Sequence, residues 1–193
     1  MLRPYGRDGC GALLDLAWRK LLENHPHDDI CGCSVDAVHR QDMIRFEEVA
    51  QIGATLARDA CRAIMQRIDR TAQAGVPFVV FNPTAFPRTE TAEIELAFEE
   101  GDETADSFYL VDAAGRAVAS QPLERYHRFE TEVGKGSHLH VVCAALAIQS
   151  LPAWGYRVYY AQPGPAPAPS TVEYPVEVFD KGMENRHLRV EIE

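Results

Sequence analysis

The amino-acid sequence predicts an α+β protein: a helical hairpin with one very long helix, followed by an antiparallel β-sandwich. Two patterns support this prediction. Residues 1–75 repeat apolar side chains at three- and four-residue spacing, which is typical of amphipathic helices. Residues 76–161 contain short alternating segments separated by turn residues, with no helical pattern between them, which favours antiparallel pairing.

The first helix is expected between Gly11 and Asn24. Pro26 supports this end point, because a proline disfavours helical backbone at the residue before it. The apolar positions form one broad stripe, made of Leu13, Leu14, Ala17, Trp18, Leu21 and Leu22. We expect this stripe, including Trp18, to lie in the core.

A second helix is expected to start after Ser34, a favourable N-cap, and to end near Ala74 and Gly75. About 40 residues would span ~60 Å at the helical rise. The first helix is about a third as long, so much of the apolar stripe lacks a partner. We therefore expect the long helix to belong to a three-helix bundle, or to self-associate through its exposed face.

The second half reads as strands and turns. Asp112–Gly115 predicts a hairpin turn, and the Pro- and Ala-rich stretch QPGPAPAPS at 162–170 predicts a stiff linker. Arg189–Glu193 alternates like a strand without a partner. The predicted regions are 1–75 helical, 76–161 sandwich, and 162–193 linker plus the first strand of a truncated β domain. The predicted strands of the sandwich are 78–81, 93–98, 108–111, one from Val118 onward, 138–146 and 156–160.

Charge and composition limit the function classes. The formal net charge is −10, and residues 76–193 carry nine Lys or Arg against eighteen Asp or Glu. An acidic surface repels phosphate, so we expect no nucleic-acid partner. No apolar run reaches the ~20 residues of a membrane span, and the N-terminus has no signal-peptide pattern. Five cysteines at irregular spacing favour a cytoplasmic protein with reduced thiols.

Several further residues have a structural interpretation. Trp154 is expected in the core, and Cys61 and Cys143 are expected to be buried. His138 and His140 share one face of a strand, which we expect to face solvent.

The segment NHPHDDICGCS at 24–34 concentrates groups that bind metals or sugars. One interpretation is a polar helix–helix connection. A closed zinc site made by His25, His27, Cys31 and Cys33 is the second, but its spacing is cramped compared with the usual C-x₂-C pairs. In the third, one histidine and one aspartate contribute to a site completed elsewhere. The residues alone leave the first and third interpretations open.

Four segments, in order along the chain, resemble glycoside hydrolase family 38, the retaining α-mannosidases, in its bacterial branch. They are AWRKLLENHPHDDICGCSVDAVHRQDMIRFEEVAQ at 17–51, FVVFNPTAFPRTE at 78–90, LPAWGYRVYY at 151–160 and MENRHLRVEIE at 183–193. The segment PHDDICGCS is the most diagnostic. The resemblance implies the end of a catalytic helical bundle followed by a β domain.

The resemblance also implies residue roles. His27 stands where the family has a loop histidine that binds the active-site Zn²⁺, and Asp28 where the family has an aspartate that contacts the sugar. His25 and Asp29 are further candidates for substrate binding, at less constrained positions. Cys31 and Cys33 belong to the bacterial motif and are expected to pack rather than to bind metal.

The family's nucleophile, acid/base carboxylate and other metal ligands precede this region, so no catalytic residue is assigned here. We expect a fragment of a zinc-dependent α-mannosidase that acts on α-mannoside oligosaccharides, inactive alone and with Zn²⁺ absent or weakly bound. We expect no activity from the chain alone because retaining hydrolysis needs two carboxyl groups ~5–5.5 Å apart across the scissile bond, and no residue of this sequence is assigned to either role. The alternatives are a free-standing carbohydrate-binding or assembly module without catalysis, and a small zinc-binding regulatory protein.

Overall fold

A computed structural model describes residues 10–132, 135–165, 167 and 176–192. The chain divides into two compact units, Met1–Asp69 and Arg70–Glu193. The first contains helices and the second contains antiparallel strands, so the predicted α+β class is confirmed.

The helical unit contains α1 (Cys10–Glu23), α2 (His27–Ile30) and α3 (Asp36–Met65). Helix α1 begins and ends within one residue of the bounds predicted from the sequence. Ala17 on α1 and Leu56 on α3 are buried, and Lys20 Nζ forms a 2.6 Å ion pair with Glu48. The short helix α2 lies within residues 24–34, which the sequence predicts to be a single connection between two helices.

The long helix is shorter than predicted. It ends at Met65, and the next amides make tight turn bonds, from Arg67 to the Ile64 carbonyl and from Ile68 to the Met65 carbonyl. Bonds of this spacing tighten and close a helix end. The predicted continuation to Ala74 is therefore wrong.

The predicted N-cap of the long helix is also wrong. Val35 occupies the N-cap position of α3 with no side-chain cap. The Ser34 hydroxyl donates a 2.5 Å hydrogen bond to the Asp29 carboxylate instead. Ser34 therefore stabilises the connecting loop and not the helix end.

Both tryptophans are exposed, contrary to the prediction that they lie in the core. Trp18 is 54% exposed and Trp154 is 60% exposed. On α1, Leu14 and Leu22 lie four residues before and after Trp18, on the same face, and are exposed as well. The apolar stripe of α1 is thus only partly covered within the described helical unit.

The second unit opens with two antiparallel sheets, and all six predicted strands are found in them. One sheet has the order β1-β7-β3-β4, and the other has the order β2-β6-β5. The strands are β1 (Val76–Phe81), β2 (Arg88–Glu99), β3 (Phe108–Asp112), β4 (Ala117–Val118), β5 (Ser120–Glu132), β6 (Lys135–Leu151) and β7 (Tyr156–Pro163).

One hydrophobic cluster takes side chains from both sheets. Leu96 and Phe98 come from β2, Val142 and Leu146 from β6, and Tyr159 from β7. Leu96 faces Val142 across the β2–β6 pair, so their side chains share one face of that sheet. The alternating burial along β2 follows from this arrangement.

Two turns in this unit are held by side chains. The predicted hairpin turn forms between β3 and β4, where the Asp112 carboxylate accepts hydrogen bonds from the amides of Ala114 and Arg116. At the end of β1, Asn82 is 2% exposed. Its side-chain nitrogen donates to the carbonyls of Phe86, Leu151 and Pro152, joining the turn after β1 to the turn before β7.

Residues 177–191 form a third, small sheet of β8 (Glu177–Phe179), β9 (Gly182–Glu184) and β10 (Arg189–Glu191). β10 pairs antiparallel with β9, so the expectation that this strand lacks a partner is wrong. The predicted linker at 162–170 begins inside β7, and its residues 166 and 168–170 lie outside the described residues.

Within the described residues, no helix is both long enough and apolar enough to cross a membrane.

Candidate metal- and sugar-binding loop

The loop between α1 and α3 is anchored by a buried polar cluster. Asn24, the residue after α1, is 1% exposed, and Asp42 on α3 is 2% exposed. The Asn24 side-chain nitrogen donates a 2.8 Å hydrogen bond to the Asp42 carbonyl. Arg45 contacts Asp42 Oδ1 at 3.1 Å and Glu23 at 3.2 Å. These contacts hold the end of α1 against α3 and fix where the loop begins.

Helix α2 is one turn long and ends in a glycine cap. The Cys33 amide donates to the Asp28 carbonyl at 2.9 Å and the Gly32 amide to the Asp29 carbonyl at 3.1 Å. Gly32 has φ 76°, the left-handed backbone that this two-bond motif requires at the residue after the cap. The local sequence HDDICGC therefore forms a defined turn in which the amides of Asp29 to Cys33 are hydrogen-bonded.

His27 is the first residue of α2, and its side chain is 94% exposed. Its Nε2 lies 3.2 Å from Asp28 Oδ1, and the Asp28 side chain is 68% exposed. An imidazole and a carboxylate are thus presented side by side toward solvent. The structure brings these two predicted site residues together.

The other two candidates lie in different surroundings. His25 is exposed and stands between α1 and α2, where its amide donates to the Leu22 carbonyl. Asp29 is half-buried and accepts the hydrogen bond from Ser34. That bond makes the Asp29 carboxylate a part of the loop framework.

Both cysteines of the loop are exposed, so the prediction that they pack is wrong. The Cys31 thiol donates a hydrogen bond to Cys33 Sγ at 3.2 Å. This hydrogen bond, and to a lesser extent desolvation, raises the pKa of the Cys33 thiol. Cys61 and Cys143, expected to be buried, are half-buried.

Among the residues that the structure describes, no group of three or more His, Cys, Asp and Glu side chains is arranged to hold a metal ion. His27 with Asp28 nevertheless fits one corner of a zinc site, because imidazole nitrogen and carboxylate oxygen are ligands that Zn²⁺ takes in proteins. Because both side chains are exposed, they are accessible to a metal ion that also takes ligands from another part of the protein.

A second polar cluster lies on the β2-β6-β5 sheet. Glu95 accepts hydrogen bonds from the Tyr126 hydroxyl at 2.8 Å and from Arg128 at 3.0 Å. Those two bonds lower the pKa of Glu95. Of the two strand histidines, His138 is exposed as expected, whereas His140 is half-buried and stacks on His127 with ring centroids 4.8 Å apart.

Sequence reasoning missed Asn24, Asp42 and Asn82 as buried anchors. Their polarity favours exposure, and no spacing signal marks them. The nearest signal is position: Asn24 and Asn82 each end an element next to a proline-containing turn. A polar residue there can satisfy backbone groups that the element leaves unpaired.

Comparison with known proteins gives matches in sequence and in fold. The chain superposes on a solved protein of glycosyl hydrolase family 38 from Enterococcus faecalis with a TM-score of 0.77 and 28% identity, over 94% of this chain. An α-mannosidase of known structure from Enterococcus faecalis gives 0.76 and 27% over 95% of this chain. The resemblance to glycoside hydrolase family 38 is confirmed. No family model matches the chain.

The chain also matches a curated relative in sequence. It is a protein of Halalkalibacterium halodurans named "Putative mannosylglycerate hydrolase", 38% identical over 92 residues, or 44% of this chain. The match spans 10% of that relative, and the structural matches span 24% and 23% of the two Enterococcus faecalis chains. This chain thus corresponds to about a quarter or less of the proteins it resembles.

Proposed function

We propose that these 193 residues are part of a retaining, zinc-dependent α-mannosidase that hydrolyses α-mannosides. The likeness to an α-mannosidase over 95% of this chain supports the assignment. In this proposal the helical unit supplies one zinc-ligand loop and the β unit has a structural role. The catalytic carboxylates and remaining ligands come from the rest of the enzyme, so the chain alone is inactive.

The observation that carries the proposal is the exposed pair of His27 and Asp28. A histidine that only packs would be covered by its own fold, whereas the His27 side chain is 94% exposed beside an exposed carboxylate. We assign His27 as a zinc ligand and Asp28 as a substrate-binding residue. A bound Zn²⁺ would supply Lewis-acid contact with sugar hydroxyls.

In this proposal the residues of the loop have different roles in substrate binding, metal binding and loop structure. The Asp28 carboxylate accepts hydrogen bonds from hydroxyls of the bound mannose, and its neighbour His27 offers a ring nitrogen to the metal. The bond between Asp29 and Ser34 and the glycine cap at Gly32 hold α2 in place. Preorganisation of this kind keeps ligands in position without ordering them at each binding event.

The exposed apolar faces of the helical unit support packing against further helices of a larger bundle. Leu14, Trp18 and Leu22 on α1 and Met43 and Ile44 on α3 are each more than 40% exposed. We propose that helices of the same enzyme cover these side chains, as in a three-helix bundle. In the isolated chain the α3 face supports self-association.

The thiol content supports a reducing compartment. All five cysteines are free, and free thiols persist in the cytoplasm. We therefore propose a cytoplasmic enzyme.

Two measurements on the purified chain test this assignment. Elemental analysis after gentle dialysis is expected to give well under one equivalent of zinc, because His27 alone is an incomplete ligand set. Incubation with an aryl α-mannoside and Zn²⁺ is expected to give no turnover. A full equivalent of tightly held zinc, or metal-dependent hydrolysis, would overturn the proposal. Sugar binding without turnover would instead favour a free-standing carbohydrate-binding module.

A further inference from the structure

The thiols of Cys31 and Cys33 form a close pair that the proposed function does not use. Their sulfur atoms are 3.2 Å apart, and both residues are free and exposed. They lie two residues apart on a single turn of chain. A pair of accessible thiols at this distance can react with one another through a shared reagent.

The backbone holds the pair in place. The Cys31 amide donates to the His27 carbonyl at 3.2 Å, and the Cys33 amide to the Asp28 carbonyl at 2.9 Å. Gly32, between them, has φ 76°, while a Cβ added there would meet no heavy atom within 4 Å. Glycine is therefore required by the left-handed backbone and not by lack of space. That backbone brings the two side chains together.

We propose that Cys31 and Cys33 are a dithiol modification site that exchanges with low-molecular-weight disulfides and closes to a Cys31–Cys33 disulfide. The inference goes beyond the proposed function and does not depend on it. The ligand class is a small-molecule disulfide of the glutathione type, which accepts the electrons.

The reaction balances in two exchange steps. One cysteine thiolate attacks a sulfur of the small disulfide, so that a mixed disulfide forms and one small thiolate leaves. The second cysteine thiolate then attacks the protein sulfur of the mixed disulfide, and the other small thiolate leaves. Two cysteine thiols are oxidised, one small disulfide is reduced to two thiols, and the two cysteine protons pass to the leaving thiolates or to solvent.

The geometry favours the second step. A disulfide bond is ~2.0 Å long, so the two sulfur atoms must approach by about 1.2 Å from their 3.2 Å separation. The other cysteines, Cys10, Cys61 and Cys143, are half-buried, and the small disulfide must reach the cysteine sulfur that attacks it. The loop pair is therefore expected to react first.

The amides of Cys31 and Cys33 donate to two consecutive carbonyls of α2, those of His27 and Asp28. Closing the disulfide would link these two donor residues covalently. The oxidised chain would hold the C-terminal end of α2 by a covalent bond in addition to its hydrogen bonds.

The test uses the purified 193-residue chain and oxidised glutathione as the probe. After incubation, acid quenching and alkylation of remaining thiols, trypsin releases peptide 21–40, which contains Cys31 and Cys33 and no other cysteine. The expected product is this peptide lighter by two hydrogens, unalkylated and without a glutathione adduct. A peptide that stays doubly alkylated, or that accumulates a stable glutathione adduct, would overturn the proposal.

Single substitutions provide the matched controls. In Cys31→Ser and Cys33→Ser the remaining thiol is expected to stop at the mixed disulfide and release one equivalent of glutathione instead of two. Cys61→Ser, on α3, is expected to behave like the unsubstituted chain. If the mixed disulfide of either loop variant were resolved instead by Cys10, Cys61 or Cys143, so that a second equivalent of glutathione was released, the pairing would be wrong.

A comparison in denaturing urea distinguishes two causes of internal disulfide formation: the folded geometry of the loop, and the short sequence separation of the two cysteines. The ratio of internal disulfide to mixed disulfide is expected to be at least about tenfold higher in the folded chain, because the loop holds the thiols together before reaction. An equal ratio in both conditions would show that the structure contributes nothing to the pairing.

Discussion

The side-chain amide of Asn24 donates a 2.8 Å hydrogen bond to the backbone carbonyl of Asp42. Both residues are buried. This bond connects the residue that follows α1 to the second turn of α3, and the candidate zinc loop lies between them. The position of His27 and Asp28 therefore depends on a buried polar contact that the hydrophobic pattern does not show.

Asn24→Ala is expected to destabilise the helical unit by about 0.5–1.5 kcal/mol, because the buried hydrogen bond from the Asn24 side chain to the Asp42 carbonyl is lost. Native-state hydrogen exchange should show faster exchange of amides in α1 and α3. Gln51→Ala, an exposed amide on α3, is the control and should change stability by less than about 0.5 kcal/mol. Unchanged protection in Asn24→Ala would show that the contact contributes nothing.

Asn82→Ala is expected to destabilise the β unit by about 2–4 kcal/mol. The substitution removes three side-chain hydrogen bonds, to the carbonyls of Phe86, Leu151 and Pro152, and each hydrogen bond contributes a net of about 0.5–1.5 kcal/mol. Urea unfolding followed by the β-sheet circular dichroism signal measures the change. Gln121→Ala, exposed on β5, is the control. A midpoint equal to that of the control would contradict the role of Asn82.

The sequence predicted much of the fold because periodicity records which face of an element is buried. The bounds of α1 and the alternation in β2 follow from such patterns. The end of α3 does not, because apolar spacing alone gives no stop signal between Met65 and Gly75. Trp18 lies on an apolar stripe that the described helical unit leaves uncovered, so its exposure could not be read from the stripe.

The candidate site was predictable only in part. His27 and Asp28 stand out by residue type and resemblance, and the structure places them together. The roles of Asn24 and Asp42 arise from contacts 18 residues apart in sequence, which spacing rules do not encode. The close approach of Cys31 and Cys33 depends on the left-handed backbone of Gly32. A glycine in sequence permits that conformation but does not specify it.

The Glu95 carboxylate makes the β unit sensitive to acid. Hydrogen bonds from Tyr126 and Arg128 lower its pKa below the ordinary value of 4.5. A carboxyl group whose pKa is lower in the folded state stabilises the fold above its unfolded pKa, and this contribution is lost as pH falls through the folded pKa. Glu95→Gln is therefore expected to reduce the loss of stability between pH 5 and pH 3.

Thermal unfolding of both proteins across that pH range measures the effect. The matched control is Glu99→Gln, an exposed glutamate on the same strand. The account of Glu95 fails if Glu95→Gln and the unsubstituted chain lose stability in parallel.

Ile44 on α3 is expected to contribute to self-association of the isolated chain. Its side chain is 50% exposed, and apolar faces of this kind associate when no helix covers them. Ile44→Glu should lower the weight-average mass in sedimentation experiments. Leu123→Glu, on β5 and also 50% exposed, should leave it unchanged. Equal effects of the two substitutions would assign the association to general hydrophobicity.

The central claim is that His27 binds zinc as one ligand of a mannosidase site completed elsewhere. The most direct test places His27→Ala and His39→Ala, the latter an exposed histidine on α3, in the complete enzyme of which we propose this chain is a part, and measures bound zinc together with turnover of an aryl α-mannoside. We predict that His27→Ala loses zinc and at least about a hundredfold in activity, while His39→Ala keeps both. Full zinc and full turnover in His27→Ala would contradict the account.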